Sequence, residues 1–452
     1  MSICMHCRSI PLSIFFCFIL CLLLAGSSTA ETSEVISAIN QVMKLSIEAN
    51  IDDQIGRTDS SDKIYSITGE LRKWHTVKIN FKGPDTTEAA VGPNPFTDYR
   101  LQVQFTSPND RKYNVPGFYA GDGEGRGSGN IWRVCFSPGE VGKWLFVASF
   151  RKGPKVAVSV KANAGEATAF DGYRGSFLVE QCDENAPGFL KWGRLEYIGE
   201  HYLKFRDGPY WLKGGNDTPE DLLAYRGFDN TPGAKHKYAE HVKDWNPGDP
   251  DWNNGAGKGI IGFLNYMAQE HVNSVYFMPN NIGGDGKNVW PYVGKIDPKG
   301  DPDNDNLHFD ISKLRQWEIV FDHAQRKGVF LHFVLNEAEE LNKRELDNGT
   351  LGVERKLFYR ELIVRFGHHL ALQWNLCEEY NLRWKISPEL AKEYAGRIGF
   401  CKLNVDDNPL AAGKFQVQSI PLLLFFKDGK VIEQSLGVVQ ESVIRSKLEL
   451  LL

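Results

Sequence analysis

The chain has 452 residues, which is enough for two or three domains that each bury a core. Its net charge is −5 and it contains no basic run, so nucleic acid is excluded as an expected partner. Aromatic residues make up 12% of the chain, with 44 glycines and 21 prolines, a composition more typical of β-rich extracellular proteins than of helical bundles.

Residues 1–30 have the features of a signal peptide. Arg8 precedes an apolar run over 14–25, and small residues up to Ala30 offer a cleavage site. Because the apolar run is short for a membrane span, we predict export to a secreted or periplasmic location and no membrane contact after cleavage. An uncleaved N-terminal anchor is the alternative.

Export changes what the cysteines can do, because four of the eight lie in the predicted signal peptide. The others are Cys135, Cys182, Cys377 and Cys401. They form no CxxC pair and lack zinc-ligand spacing, so we predict no metal site and no cofactor. A Cys135–Cys182 disulfide and two isolated buried thiols both fit this pattern.

Residues 31–63 are polar and are predicted to be a linker with one weakly amphipathic stretch. From 64 to 182, short runs alternate between apolar and polar residues and are separated by Gly, Pro, Asn and Asp clusters. This period of two predicts an antiparallel β-sandwich. The glycine-rich stretch 122–129 lies between strands with no following helix, so it is predicted to be a loop rather than a phosphate site.

The pattern then changes to alternating strands and helices over 190–384. Predicted strands cover 210–215, 273–278, 329–335 and 370–376, and predicted helices cover 258–270, 311–326 and 353–366. Strand–helix–strand spacing requires a parallel sheet with right-handed crossovers. Four such units predict an incomplete (β/α) barrel, a TIM barrel that stops at the middle.

Residues 386–452 form a third region. They predict a strand over 399–405, a helix near 409–415, two strands joined at Asp428-Gly429, and a final helix from Glu441. Asp-Gly between two apolar runs is a strong hairpin signal. The fold class is therefore multidomain, with a sandwich, half a barrel and a partial α/β domain.

Residues 60–381 contain several sequence motifs that match those of one protein family and occur in the same order. They include Trp74-His75, Asn94-Pro95-Phe96-Thr97-Asp98-Tyr99, Gly142-Lys143-Trp144, Arg365-Phe366-Gly367-His368-His369 and the run 374–379. The sandwich resembles the uncharacterised domain that opens many secreted bacterial proteins assigned to the glycoside hydrolases. The following segment resembles the barrel of the same proteins.

This resemblance implies a proton donor at the end of the fourth strand, where Glu378 and Glu379 lie. We favour Glu379 as the donor, with Glu378 in the place of the family's asparagine. Only one of the two should face the barrel mouth, since neighbouring side chains on a strand point to opposite sides. A solvated carboxylate pair at a strand end is the alternative.

No seventh strand is present to supply the second carboxylate. Glu337, beside Asn336, could act as that group, line the sugar site or simply belong to a loop. Polar residues after the strands are expected to bind sugar hydroxyls: Asn216, Asp217, Asn280, Asn281 and Asn375. Three tryptophans could stack on sugars or be buried: Trp245, Trp252 and Trp290.

The last region carries motifs of a different family. They are Leu403-Asn404-Val405-Asp406, Ser419-Ile420-Pro421, Phe426-Lys427-Asp428-Gly429 and Gly437. This segment resembles the C-terminal half of thioredoxin, and Pro421 occupies the family's cis-proline position. The Trp-Cys-Gly-Pro-Cys turn and the strands before it are absent, and Leu422 replaces the usual threonine. Since Cys401 has no resolving partner, we expect no disulfide reductase activity.

The sequence thus predicts a secreted glycoside-hydrolase-like protein that acts on or binds a polysaccharide and is impaired or inactive because half the barrel is absent. Its expected partners are carbohydrate and, through open barrel edges, a second copy of itself. Alternatives are a thioredoxin-domain protein lacking the CxxC motif, a non-catalytic carbohydrate-binding module, and a chimeric open reading frame. An independent read of the genomic DNA encoding residues 375–390 tests the last alternative.

Overall fold

A computed structural model describes most of the chain after residue 63. The described residues are 64–215, 220–231, 233–283, 289–294, 304–337, 339–377, 394, 397–399, 409–417, 422–437 and 439–452. The predicted signal peptide and linker lie outside them. Within these ranges no helix is long and apolar enough to cross a membrane.

The N-terminal part consists of antiparallel strands. They are β1 (Tyr65–Thr68), β2 (Val77–Thr87), β3 (Tyr99–Thr106), β4 (Lys112–Pro116), β5 (Phe118–Tyr119), β6 (Ser128–Phe136), β7 (Gly142–Lys152), β8 (Glu166–Ala167) and β9 (Arg174–Val179). One sheet has the order β1-β2-β6-β5 and the other the order β4-β3-β7-β8, with β9 also pairing with β7.

The two sheets pack face to face through their alternating apolar residues. In β3 and in the centre of β7, every second residue is buried, as the period of two predicts. Phe81 of β2 meets Phe146 of β7 with ring centroids 6.1 Å apart, and Trp132 of β6 meets Phe150 of β7 at 4.8 Å. These contacts confirm the antiparallel, two-layer character predicted for this part of the chain.

A short antiparallel sheet joins the sandwich to the next region. Its strands are β10 (Leu195–Glu196), β11 (Leu203–Phe205) and β12 (Tyr210–Trp211). The predicted strand 210–215 is therefore wrong in extent, because its first two residues pair with β11 rather than with a parallel neighbour. Within 210–215, Gly215 forms an isolated parallel bridge to Ser274 of the parallel sheet.

The next region alternates strands and helices, as predicted. Its strands are β13 (Ser274–Phe277), β14 (Phe330–Val334) and β15 (Leu372–Asn375), and its helices are α1 (Lys258–Gln269), α2 (Ile311–Lys327), α3 (Glu340–Glu345) and α4 (Val353–Phe366). The strands form a parallel sheet in the order β13-β14-β15. Every residue of β13 and β14 is buried, as expected for strands covered on both faces.

Local signals explain where the longest helix begins and ends. The side chain of Asp310 accepts a hydrogen bond from the N–H of Lys313 and so caps the start of α2. Gly328 ends the helix in the left-handed conformation at φ 76°, which glycine adopts without steric strain. Short 3-10 segments occur at Val156–Val158, Gly188–Lys191, Ala239–Asp244 and Asp347–Gly349.

Helix α4 attaches this region to the sandwich. Arg360 donates to the carbonyl oxygen of Gly117 at 2.7 Å, and Arg365 donates to that of Tyr119 at 2.9 Å. Both guanidinium groups also pair with the buried carboxylate of Glu361. A second link is the turn at Asn94, whose side chain donates to the carbonyl oxygen of Leu307 at 3.2 Å. The two regions therefore share buried polar contacts as well as apolar ones.

The C-terminal elements are α5 (Pro409–Lys414), β16 (Leu422–Lys427), β17 (Lys430–Leu436) and α6 (Glu441–Glu449). The predicted hairpin is confirmed, with Asp428 at φ 52° and Gly429 at φ 76°, the positive values that a two-residue type I′ turn requires. The predicted strand 399–405 falls mainly outside the described residues. A small core joins β16 to α6 through Phe425, Ile444 and Leu448, with Tyr394 packed beside them.

Candidate functional site at the carboxyl edge of the parallel sheet

Polar side chains follow each of the three parallel strands. Asn280 comes shortly after β13, Glu337 shortly after β14, and Asn375 is the last residue of β15. The register pairs Phe277 with Phe333 and Val334 with Asn375, so all three strands end at the same edge. In parallel α/β sheets this carboxyl edge is where ligands bind.

The two faces of the sheet have different surroundings. Phe277 stacks on Phe321 of α2 at 5.2 Å, so the odd-numbered residues of β13 face the helices. Tyr276 and His332 point to the opposite face, where their rings meet at 4.7 Å. The Nζ atom of Lys213 lies 3.0 Å from Nδ1 of His332 on this same face. A barrel interior is built from such a face.

Glu337 is held in a buried amide network. It is only 4% exposed, and the side-chain amide of Asn342 donates hydrogen bonds to its carboxylate and to Oδ1 of Asn281, the latter at 3.0 Å. The oxygen of Asn342 accepts the N–H of Ile282 at 2.8 Å. Asn281 is fully buried, and its hydrogen bond with Asn342 stabilises the carboxyl edge of the sheet. Its predicted contact with a sugar stays a prediction, and the role of Asn342 had no sequence signal.

A second network positions Asn336. Its amide donates to the hydroxyl of Tyr359 and to the carbonyl oxygen of Leu376, both at 2.6 Å, and its oxygen accepts a hydrogen bond from Arg355. Arg355 also donates to the carbonyl oxygen of Lys343 at 2.9 Å. These contacts tie together the segments that follow β14 and β15.

Asn280 and Asn375 differ in how their side chains are used. Oδ1 of Asn375 accepts the N–H of Cys377 at 3.2 Å and so stabilises the end of β15. Oδ1 of Asn280 is buried and has no hydrogen-bond partner among the described residues. A buried unpaired acceptor at this edge is a candidate ligand contact, because such groups are rarely left unsatisfied.

Several predicted site residues lie outside the described residues, namely Asn216, Asp217, Glu378, Glu379 and Pro421. The three tryptophans are described and use their indole N–H groups internally. Trp245 donates to Pro250 at 3.1 Å, Trp252 to Gly227 at 2.7 Å and Trp290 to Gly294 at 3.2 Å. These hydrogen bonds fix Trp245 and Trp290 within their own loops and tie Trp252 to the segment that contains Gly227.

A separate polar cluster was not foreseen from the sequence. Glu318 of α2 lies beside His368 and His369, which occupy the turn between α4 and β15. Burial by itself acts to raise the pKa of Glu318, but the two imidazoles outweigh it and hold that pKa well below its usual value. Burial lowers the pKa of His368, against the opposing effect of Glu318. The two consecutive histidines were the sequence feature that could have indicated this cluster.

The described cysteines do not pair. Cys135, Cys182 and Cys377 are free thiols. The sequence left open whether Cys135 and Cys182 form a disulfide, and in the structure they do not. Burial raises the pKa of Cys135 to about 11. Thiolate chemistry at Cys135 is therefore disfavoured at neutral pH.

Comparison with known proteins identifies the two ends of the chain. Residues 70–151 match the model of a domain of unknown function, DUF5060, and residues 384–449 match the thioredoxin model. The chain carries both domains. The DUF5060 match runs from just before β2 to near the end of β7, and the thioredoxin match contains α5, β16, β17 and α6. The fusion expected from the sequence is thereby confirmed.

The curated relatives are similar to the thioredoxin end. Thioredoxin 2 of Chlorobaculum tepidum is 44% identical over 61 residues, which is 14% of this chain and 56% of that protein. Chloroplastic thioredoxin M-type of Pisum sativum is 45% identical over 123 residues, 27% of this chain and 65% of that protein. The chain thus spans between half and two thirds of these thioredoxins. The thioredoxin match contains one cysteine, Cys401.

Among solved structures, the chain is similar to a crystal structure described as a putative glycoside hydrolase from Bacteroides vulgatus. The TM-score is 0.46 at 20% identity, covering 69% of this chain and 49% of that one. A pullulanase from Anoxybacillus sp. aligns over 62% of this chain with a TM-score of 0.13 and 12% identity.

Proposed function

We propose that this is an exported glycan-binding protein whose residues 190–384 form the first half of a (β/α)₈ glycoside hydrolase barrel. The observation that carries the proposal is the shared carboxyl edge of β13, β14 and β15, which gathers Asn280, Glu337 and Asn375. Amide and carboxylate groups of this kind bind sugar hydroxyls, and the edge is the position of the active site in barrel enzymes.

The proposed proton donor is Glu379, which follows β15. Trp374 packs against Phe333 on the helix-covered side with ring centroids 4.6 Å apart, so Asn375 faces the opposite side, as His332 and Tyr276 do. β15 ends at Asn375 and the chain bends at Leu376, so the choice of Glu379 over Glu378 rests on the resemblance to family strand ends in which asparagine precedes the donor, and not on strand alternation.

Weak or absent hydrolysis is part of the proposal. A glycosidase needs a second carboxyl group about 5–9.5 Å from the first. Glu337 is the described candidate, but Asn342 already binds its carboxylate and it is buried. In the proposed half barrel no strand supplies the nucleophile, and the thioredoxin match begins at residue 384, directly after the fourth predicted strand. The proposed protein therefore binds glycan but hydrolyses it weakly or not at all.

An open edge of the parallel sheet further supports self-association. Among the described residues β15 pairs with β14 alone, which leaves its other side without a strand partner. An uncovered parallel edge is a template for pairing with a second chain.

The test is a panel of polysaccharides offered to the purified protein, its Glu379→Gln variant and its Glu378→Gln variant. Binding is measured by affinity electrophoresis and hydrolysis by release of reducing ends. We expect at least one polysaccharide to retard all three proteins. We also expect any hydrolysis to be lost in Glu379→Gln and kept in Glu378→Gln, which is the matched control because it removes the neighbouring carboxylate and keeps Glu379. Failure of every polysaccharide to bind would refute the proposal, and equal hydrolysis by the Glu379→Gln variant would refute the donor assignment.

A further inference from the structure

We propose that Glu318, His368 and His369 form a binding site for one divalent transition-metal ion of the zinc type. The site would connect helix α2 to the turn between α4 and β15, at the boundary with the sandwich. It lies apart from the carboxyl edge and is independent of the function proposed above.

The three side chains already have nearly the spacing of a coordination sphere. Nε2 of His368 and Nε2 of His369 each lie 3.2 Å from a different oxygen of Glu318, and one ligand atom from each residue falls within 4.8 Å of the others. Ligands that bind one ion at about 2.0–2.2 Å in tetrahedral geometry lie roughly 3.4 Å apart. Small side-chain adjustments would therefore seat an ion.

Unpaired imidazole nitrogens are the second observation. His369 makes a hydrogen bond to Glu318 through Nε2, but its Nδ1 has no hydrogen-bond partner among the described residues, and neither nitrogen of His368 has one. His368 lies close to Glu318 without hydrogen-bond alignment. Both histidine side chains are only 1% exposed, so water does not supply the missing partners freely. An ion held by the two Nε2 atoms would supply the partner that Nε2 of His368 lacks.

The donor set fits the metal class. Two imidazoles and one carboxylate suit zinc and related first-row ions, and three protein ligands leave a further position open. Glu318 also lines a cavity of about 30 Å³ together with Lys78, Cys135 and Arg133. Neither histidine lines this cavity, which has room for one water molecule beside the carboxylate.

The surrounding backbone holds the ligands in place. The hydroxyl of Ser137, just after β6, donates to the carbonyl oxygen of His368 at 2.9 Å. The N–H of Leu370 donates to the side-chain oxygen of Gln325 in α2 at 2.8 Å. The histidine turn is therefore fixed to both the sandwich and α2 before any ion binds, which reduces the ordering that binding requires.

Lys78 is the competitor for the same carboxylate. Its Nζ lies 3.7 Å from Oε1 of Glu318, and its side chain is 25% exposed, so the ammonium group can move outward when an ion enters. Removal of this positive charge should strengthen metal binding. A purely structural cluster predicts no such gain.

The experiment measures Zn²⁺ binding by isothermal titration and Co²⁺ binding by visible absorption. It uses the full chain with Cys4→Ser and Cys7→Ser, because these cysteines and His6 could bind zinc independently. We expect one Zn²⁺ per chain with a Kd of about 1 µM or lower, and a Co²⁺ spectrum without a thiolate charge-transfer band. Lys78→Met should tighten binding at least about fivefold.

The control is His201→Ala, which removes an exposed histidine outside the cluster and should leave Zn²⁺ binding unchanged. The double variant His368→Gln with His369→Gln should lose binding by at least about a hundredfold. If that variant does not fold, Lys78→Met still tests the proposed metal site, because it leaves both histidines in place. Absence of stoichiometric binding in the parent protein, or unchanged affinity in Lys78→Met, would overturn the proposal.

Discussion

Replacing Arg365 by methionine should loosen the attachment of α4 to the sandwich. The guanidinium of Arg365 makes two hydrogen bonds to Glu361, at 3.0 and 3.2 Å, and one to the carbonyl oxygen of Tyr119 at 2.9 Å. Its side chain is 6% exposed and lies over the ring of Phe118, 4.3 Å from the centroid. The substitution therefore leaves a buried carboxylate with one cation fewer.

The expected loss of unfolding free energy follows from these contacts. Breaking a buried ion pair by removing one partner costs about 3–5 kcal/mol. Arg360 stays within 2.8 Å of Glu361, and methionine keeps the apolar contact with Phe118, so we expect a loss near the lower limit, about 3 kcal/mol. A loss of that size is a large fraction of a total stability of about 5–15 kcal/mol.

The assay is urea denaturation followed by tryptophan fluorescence, with Lys356→Met as the control. Lys356 is exposed on the same helix, so its replacement should change stability by less than about 0.5 kcal/mol. The double variant Glu361→Gln with Arg365→Met should lose less than the sum of the single variants, because the two side chains contact each other. A loss below about 1 kcal/mol in Arg365→Met would show that this contact does not support the interface.

Three further predictions follow from the cysteines, the thioredoxin domain and the open sheet edge. Cys135 should react with iodoacetamide at pH 8 at least about tenfold more slowly than Cys182, because burial raises the pKa of Cys135 to about 11. Peptide mass spectrometry measures both rates, and equal rates would contradict the prediction. Insulin reduction with dithiothreitol should not exceed the blank, whereas a faster rate abolished by Cys401→Ser would show that the thioredoxin domain is active. Light scattering should reveal dimers or larger species of the 190–384 segment, and a soluble monomer that unfolds cooperatively would exclude edge pairing.

The elements that could be predicted were those set by local signals. Helix α4 begins and ends where its pattern predicts, at Val353 and Phe366, and the Asp428-Gly429 turn has the backbone angles that its residues favour. The segment 210–215 was mispredicted because β12 pairs with β11, a partner whose proximity depends on tertiary structure. An apolar run does not reveal which neighbour it will pair with.

The candidate site, like the fold, was predictable from the sequence only in part. Alternation and strand ends were sufficient to bring Asn280, Glu337 and Asn375 to one edge. The partners that hold them, such as Asn342, come from other segments and had no signal of their own. The cluster of Glu318 with the two histidines was missed because about fifty residues separate Glu318 from the histidines in the sequence, and only packing of α2 brings them together.

The comparison of Asn280→Ala with Gln269→Ala tests the central claim most directly. Gln269 is exposed at the end of α1, where the chain enters β13, so it lies at the opposite edge of the sheet. On the polysaccharide that the parent protein binds best, isothermal titration should show affinity reduced about tenfold in Asn280→Ala, the equivalent of one hydrogen bond at about 1.4 kcal/mol. Gln269→Ala should bind within about twofold of the parent. Equal affinities for both variants would contradict glycan binding at the carboxyl edge.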